Sequence, residues 1–480
     1  MVAEIKELHT DSPQIARMKR LFQAQQAAYR RAPYPGAEQR IEHIRQLKPL
    51  LLDNMDAWID ALNADFGNRA TDETKLAELL TSLEGIKYHA KHLRKWMKPA
   101  KRKIGSVQWP GKAWVEYQPL GVVGIIVPWN YPLYLAIGPL LAALAAGNRV
   151  MIKMSESTPR TGALLEELIG RTFAEDQVAV VNGEVDIAAA FSSLPFDHLL
   201  YTGSTSVGRH IMHAAAENLT PVTLELGGKS PCIIGADFPM QEAVERIAFG
   251  KCLNSGQTCV APDYIMVPEN RVREFTDAWS AQVARMYPTQ VDNPDFTSII
   301  NPRQHQRLTG YLQDAREKGA EVIEINPANE DFSNSDKMPY TLVLNPRDDM
   351  KIVQEEIFGP LMLVVPYQRL EDAVAYVNDR PRPLALYYFD WDTGNGEYVL
   401  RNTHSGGVCL NDTVSHVGVD DLPFGGIGPS GMGHYHGPEG FRTFSKAKGV
   451  YKKGKLNLTK HILPPYGRGM HKLVFRMRLK

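Results

Sequence analysis

The sequence predicts an α/β protein with a doubly wound cofactor domain, a second α/β catalytic domain and a small oligomerisation sheet. Three observations carry this. Residues 13–98 read as helices, with apolar residues at helical spacing (Ile41, Ile44, Leu47, Leu50) and little glycine. From Gly121 short apolar strands alternate with helical stretches, the pattern of a parallel sheet covered on both faces. After Glu225 the alternation starts again, and 480 residues are too many for one core.

In order along the chain, Gly121–Val127 is a buried-strand run, and Pro132–Ala146 a helix that stops at Gly147-Asn148. The longest apolar run, Leu133–Ala146, is too short to span a membrane. Val150–Lys153 is a strand, 159–173 a helix, Val178–Val181 a strand, 185–192 a short helix, His198–Tyr201 a strand, and a helix starts at Thr205. This block closes near Thr223. Pro231–Ile234 is then a strand, 240–252 a helix feeding the loop of Cys259, Tyr264–Val267 a strand and 271–286 a helix. The expected organisation is 1–110 as the helical N-terminal part of the cofactor domain, 120–224 as a dinucleotide-binding domain and 225–412 as a catalytic domain carrying a cysteine. Segments 111–119 and 446–480 lie outside both and are expected to form the bridging, subunit-contact piece.

Lys+Arg and Asp+Glu are equal at 54 each, which leaves no electrostatic footprint for nucleic acid. The four cysteines (Cys232, Cys252, Cys259, Cys409) show neither C-x-x-C nor zinc spacing, so no metal is expected. Few cysteines in a long chain point to a reducing, cytoplasmic setting. Met1–Glu7 has no apolar h-region of a leader. Residues 451–480 hold nine Lys/Arg and no Asp/Glu. A solvated tail or subunit arm is the plain reading of such a segment, and weak peripheral contact with an anionic membrane the sharper one.

Tyr201-Thr-Gly-Ser-Thr-Ser-Val-Gly208 follows a strand and opens a helix, a context that favours a phosphate through free N–H groups and the helix dipole. It lacks the middle glycine of G-x-G-x-x-G, so an ordinary strand–helix turn competes. Lys153 and Glu156 follow another strand end of the same sheet, where ligands of open α/β sheets gather. A lone Lys or Glu is ordinarily a solvated charge. In Pro128-Trp-Asn130-Tyr-Pro132 two prolines fix the backbone around an amide that can donate to an oxyanion. The bland reading of Asn130 is a turn or cap residue. Cys259, in Asn254-Ser-Gly-Gln-Thr-Cys259, lies 34 residues after Glu225. A thiol and a carboxylate at glycine-lined turns suggest nucleophilic attack on a carbonyl and activation of water. A single cysteine is most often an inert buried thiol, the reading kept for Cys232, Cys252 (mid-helix by pattern) and Cys409.

Five segments in order, Pro-Trp-Asn130-Tyr-Pro, Gly-Ser-Thr-Ser-Val-Gly208, Leu-Glu225-Leu-Gly-Gly-Lys-Ser-Pro, Asn254-Ser-Gly-Gln-Thr-Cys259 and Glu355-Glu356-Ile-Phe358-Gly-Pro, make the chain resemble the aldehyde dehydrogenase superfamily. The resemblance is dense from about 110 to 445. Asp421-Leu-Pro-Phe-Gly-Gly-Ile-Gly-Pro-Ser-Gly-Met-Gly433, His434-Tyr-His-Gly437 and Pro464-Pro-Tyr466 look most like the class 3 group, which includes coniferyl aldehyde dehydrogenases. The resemblance implies oxidation of an aromatic or medium-chain aldehyde to the acid through a Cys259 thioester, with Glu225 activating water and Asn130 in the oxyanion hole. Further implied are Lys153 and Glu356 on the two riboses, Gly203, Ser204 and Gly208 at the diphosphate, and Trp129 and Phe358 at the cofactor. NAD is favoured because Glu156 repels a 2′-phosphate, with NADP the alternative. The family usually has proline where Met154 stands. A homodimer is implied. Two other readings predict different residues: a CoA-acylating relative needs no Glu225, and a silent scaffold protein need not keep Cys259, Glu225 or Asn130. His416 and Tyr134 are weaker candidates for the aldehyde entrance.

Overall fold

A computed structural model describes residues 12–105 and 108–479. Met1–Glu7, read above for a leader, lies outside the described residues. The first part is helical: Pro13–Arg31, Ala37–Leu52, Met55–Phe66 and Thr81–Trp96, the last preceded by a π-helical stretch, Thr74–Leu80. Pro13–Arg31 starts where the Ser12 hydroxyl accepts from the Ile15 N–H at 3.2 Å and a proline takes the first turn.

Three sheets follow. The small one has the order β1 (Ala100–Arg102), β2 (Lys112–Pro119), β16 (Ser445–Lys452), all antiparallel. The second has the order β15 (Gly431–Met432), β7 (Val222–Leu226), β6 (His198–Gly203), β3 (Val122–Ile126), β4 (Arg149–Lys153), β5 (Val178–Val181). The third runs β10 (Glu321–Ile325), β11 (Tyr340–Leu344), β12 (Leu361–Tyr367), β9 (Pro262–Pro268), β8 (Ser230–Ile234), β13 (Ala385–Phe389), β14 (Gly407–Leu410). In the second sheet only β15 is antiparallel, and in the third only the β10–β11 pair. Strands β3, β5, β8, β9 and β13 are buried along their whole length, which is why they read as unbroken apolar runs.

Register decides which residues meet. Ile126 of β3 pairs with Lys153 of β4 on one side and Tyr201 of β6 on the other, and Thr202 of β6 pairs with Glu225 of β7. The C-terminal ends of the four strands are therefore level, and the segments bearing Asn130, Lys153, Gly203 and Glu225 emerge at one edge. Four differences from the sequence reading stand out. Strand β6 continues through Gly203. Glu225 lies inside β7, so this sheet runs past 224. Gly431 of β15 returns beside Glu225, which brings the glycine-rich 421–433 segment to the same edge. Cys252 closes its helix instead of lying mid-helix.

Candidate active site

Cys259 sits in the loop between helix Met240–Cys252 and β9. The chain reaches it through three successive left-handed residues, Asn254 (φ 52°), Ser255 (φ 51°) and Gly256 (φ 72°). A Cβ on Gly256 would come 2.4 Å from the Gly359 carbonyl oxygen, so only glycine passes. Non-glycine residues there cost of order 1–3 kcal/mol each, and neighbours must hold them. The Glu73 carboxylate accepts from the Asn254 N–H (2.9 Å) and the Thr297 hydroxyl (2.6 Å). The Ser255 hydroxyl donates to the Thr297 carbonyl. Gln257 donates to the carbonyls of Asn254 (3.1 Å) and Ser298 (2.9 Å) and accepts from the Ile300 N–H (3.0 Å). From Asn254 to Val260 every residue but Cys259 is buried, and the other three cysteines are buried too. Cys259 is thus the least buried of the four cysteines.

Asn130 follows β3 and is 3% exposed. Its side-chain amide donates to the Gln257 carbonyl at 3.2 Å. An amide nitrogen has two hydrogens, so one remains for the carbonyl oxygen of a substrate bonded to the sulfur. The Asn130 carbonyl accepts from the Arg69 guanidinium (2.9 Å) and the Asn254 amide (3.1 Å). Arg69 is in turn ion-paired to Glu78 at 3.0 Å, both side chains without exposure, and lies over the rings of Phe66 (4.7 Å) and Tyr131 (4.9 Å). Glu78 accepts from the Tyr134 N–H at 2.8 Å.

Glu225 is 2% exposed, and neither carboxylate oxygen has a partner among the described residues. Burial pushes its pKa well above the usual carboxylate range. Burial, then the charges of Glu356 and Glu225, pushes the Cys259 thiol up to about 12. Both carboxylates are therefore within Coulombic reach of the sulfur. Glu356 is itself raised to about 8, chiefly by burial. A Cβ on Gly227 would stand 2.2 Å from a Glu356 oxygen, so the carboxylate lies directly on that glycine.

The Glu356 loop is held from three sides. Arg307 donates to the carbonyls of Glu356 (3.1 Å), Ile357 (2.8 Å) and Phe358 (3.3 Å). Lys229 donates to those of Ile352 (2.8 Å) and Glu355 (2.9 Å) and pairs with Asp263, which accepts from the Ile357 N–H at 2.8 Å. Phe358 has φ 48°, and its ring meets Trp129 edge-on at 5.2 Å.

Lys153 is buried at the end of β4 and donates to the carbonyls of Met154 (2.6 Å) and Gly183 (2.7 Å), which leaves one ammonium hydrogen. Burial lowers its pKa, while the charge of Glu156, on the exposed turn beyond, raises it. The Met154 N–H, which proline would lack, donates to the Val181 carbonyl at 3.1 Å and prolongs the β4–β5 pairing. Gly203 ends β6, and Ser204 caps helix Thr205–Ala216 through the Val207 N–H (3.4 Å). A Cβ on Gly208 would come 2.9 Å from Leu226, so glycine sets the close approach of that helix to β7. The first turn carries no acidic residue. An open helix N-terminus, an ammonium with a spare hydrogen and the Glu356 carboxylate form a donor and acceptor set that fits a dinucleotide.

His416 belongs to a packed cluster: its Nδ1 lies 3.0 Å from the Cys409 sulfur, with Tyr387 and Phe424 around it. Tyr134 borders a narrow cavity, and the Cys259 charge contributes to its raised pKa. Arg69, Glu78, Glu73, Asp263 and Arg307 were not singled out from the sequence. Lys229 stood inside a motif without a role. Among the described residues no group of three His, Cys, Asp or Glu is placed to hold a metal.

The chain is similar to known proteins along most of its length. A model described as "Aldehyde dehydrogenase family" matches residues 8–450. The chain is 60% identical over 477 residues to a "Probable coniferyl aldehyde dehydrogenase" of Pseudomonas aeruginosa, covering 99% of each. It is 49% identical over 443 residues to the "Coniferyl aldehyde dehydrogenase" of Pseudomonas sp. strain HR199, covering 91% of each. Among solved structures, a substrate-bound Staphylococcus aureus AldH is 35% identical with a TM-score of 0.90, covering 96% of this chain and 99% of that one. A Mycobacterium tuberculosis aldehyde dehydrogenase complexed with NAD+ is 29% identical with a TM-score of 0.83, covering 93% and 92%.

Proposed function

The chain belongs to the aldehyde dehydrogenase family, whose members oxidise aldehydes with NAD(P)+, and we propose that this one acts on an aromatic aldehyde, coniferaldehyde or a close relative, through Cys259. One observation carries the catalytic part: the least buried of the four cysteines is within electrostatic reach of a buried carboxylate with no partner, and two residues before it in the chain the Gln257 carbonyl is held by a buried amide with a spare hydrogen.

In this reading Cys259 passes its proton to solvent water and its sulfur bonds to the aldehyde carbon. The carbonyl oxygen becomes an oxyanion that accepts from the Asn130 amide and the Cys259 N–H. The bound dinucleotide supplies the hydride acceptor. The acyl group is then held as a thioester on Cys259. Glu225 takes a proton from water, the water oxygen bonds to the acyl carbon, the C–S bond breaks, and the acid leaves as the thiolate is restored. Burial raises the pKa of Glu225, which makes its ionised carboxylate a stronger base. Lys153 and Glu156 are assigned to the adenosine ribose, Gly203, Ser204 and Gly208 to the diphosphate, Glu356 to the nicotinamide ribose, and Phe358 with Trp129 to the ring's surroundings. The exposed Glu156 favours NAD over NADP. A partnerless Glu225 supports hydrolysis over acyl transfer to CoA.

We also read the protein as a cytoplasmic homodimer. The cysteines are free, and β16 is the outer strand of its sheet, with a largely exposed face open to a second copy. Among the described residues no helix is long and apolar enough to cross a membrane. The basic tail helix Gly469–Arg478, with exposed Leu473, Phe475 and Met477, suits a subunit arm better than a lone membrane anchor.

The test is NADH formation with a panel of aldehydes, wild type against Cys259→Ala. Activity with cinnamaldehydes above acetaldehyde, lost in the variant, is expected. Activity surviving in Cys259→Ala sinks the covalent route, and equal kcat/KM for acetaldehyde and coniferaldehyde sinks the substrate class.

A further inference from the structure

A narrow cavity of ≈ 10 Å³ borders Tyr134. Its walls include His89 from helix Thr81–Trp96, Tyr134 and Gly138 from helix Tyr134–Ala146, and Asp420, Tyr435 and His436 from the chain flanking the glycine-rich segment. The room is that of about one heavy atom with its hydrogen. The charge of the Cys259 thiolate acts on both Tyr134 and Tyr435, so the cavity lies within Coulombic reach of the reacting sulfur.

Its polar groups have fixed roles. His89 Nδ1 lies 2.9 Å from the Gly85 carbonyl. A carbonyl only accepts, so Nδ1 carries the hydrogen and Nε2 of the neutral ring is a bare acceptor. Burial keeps both histidines neutral at pH 7, His89 with a pKa of about 4 and His436 of about 3. The Tyr134 hydroxyl lies 3.4 Å from His436 Nε2, and with the hydroxyl as donor His436 Nδ1 carries the hydrogen. His89 Nε2, His436 Nδ1 and the Tyr435 hydroxyl, which can donate or accept, have no partner among the described residues, on buried side chains. Buried groups left so are costly unless something pairs them.

A bare acceptor, a bare N–H and room for one heavy atom describe the complement of a hydroxyl. An ammonium offers no acceptor, a carboxylate no donor and a methyl neither. We propose that this cavity reads a phenolic hydroxyl on the aldehyde's ring, the hydroxyl donating to His89 Nε2 and accepting from His436 Nδ1. The inference rests on the aromatic-aldehyde reading and adds to it the feature of the ring that is recognised. His89 and His436 are then specificity-determining residues.

The experiment compares kcat/KM for coniferaldehyde, its O-methyl ether and cinnamaldehyde in wild type, His89→Leu, His89→Gln and Gly138→Ala, with a thermal melt of each. Wild type is expected to favour coniferaldehyde over the ether by about 10- to 100-fold, the cost of stranding buried polar groups. His89→Leu collapses that ratio towards one, and His89→Gln, which keeps an acceptor, recovers part of it. Ratios within one protein cancel any general loss of activity. Gly138→Ala serves if His89→Leu does not fold: its new Cβ stands 3.4 Å from Tyr435, an ordinary contact, while narrowing the cavity, so the ratio falls in a folded protein. Equal kcat/KM for coniferaldehyde and the ether in wild type, or a preference that survives in His89→Leu, assigns the cavity to water and overturns the proposal. If cinnamaldehyde is a good substrate and the hydroxyl does not matter, only the cavity assignment fails. If aliphatic aldehydes are oxidised and no cinnamaldehyde is, the aromatic reading fails with it.

Discussion

The cleft around Cys259 has two unlike walls. One is made of the 254–257 turn and the 355–358 loop, where Glu73, Gln257, Arg69, Lys229, Asp263 and Arg307 each meet named backbone partners at hydrogen-bond distance. The other holds Glu225, His89, His436 and Tyr435, all buried and each with at least one polar atom lacking a partner among the described residues. The first wall spends most of its polar groups on position, although Arg69 Nε and Nη2 and Asn254 Oδ1 there also lack partners, and both carboxylate oxygens of Glu225 on the second are left for molecules that arrive. Substitutions in the first should therefore lower stability, and substitutions in the second should lower turnover and leave the fold intact.

The sharpest test of the second wall is Glu225→Gln. Loss of the base should lower kcat by about 10²- to 10⁴-fold while the melting temperature holds or rises. A large fall in melting temperature would break the contrast. On the first wall, Arg69→Met leaves Glu78 buried without its cation, and about 3–5 kcal/mol of stability should be lost in urea unfolding. Gly256→Ala is a smaller version of the same test, because a Cβ would meet the Gly359 carbonyl at a left-handed position. About 1–3 kcal/mol should go there. A pH-dependent effect is expected at Glu356, whose pKa burial raises from 4.5 to about 8. The folded state then binds more protons between those values, so this group's contribution to stability falls as pH rises through that window and is level above it. Glu356→Gln should accordingly raise the melting temperature at pH 9 and leave it nearly unchanged at pH 4. An equal gain at both pH values would show that the carboxylate's burial is not the cause.

What the sequence disclosed follows the same division. Strands β3, β5 and β8 are legible because burial on both faces makes them apolar runs with helices between. Gly256 is legible as a glycine, though the reason for it, the Gly359 carbonyl, lies over a hundred residues away. Arg69 is invisible in the sequence. It reads as one more surface cation, and its meaning arises only when Asn130, 61 residues on, and Glu78 close around it. Glu225 could be singled out by its glycine neighbours, yet its place inside β7, paired to Thr202, depends on a register that no local pattern encodes. His416, weighed as an entrance residue, lies against Cys409, a contact across seven residues that histidine and cysteine alone do not announce.

The elevated thiol of Cys259 has one more consequence. Alkylating agents and peroxide react with thiolates, and at neutral pH a thiol raised to about 12 is almost wholly protonated. The other three cysteines are raised as well, by the same burial. The resting protein should therefore be chemically quiet towards oxidants, its sulfur waking only when positive charge or substrate enters the cleft, so that the nucleophile need not be worn out by peroxide between turnovers.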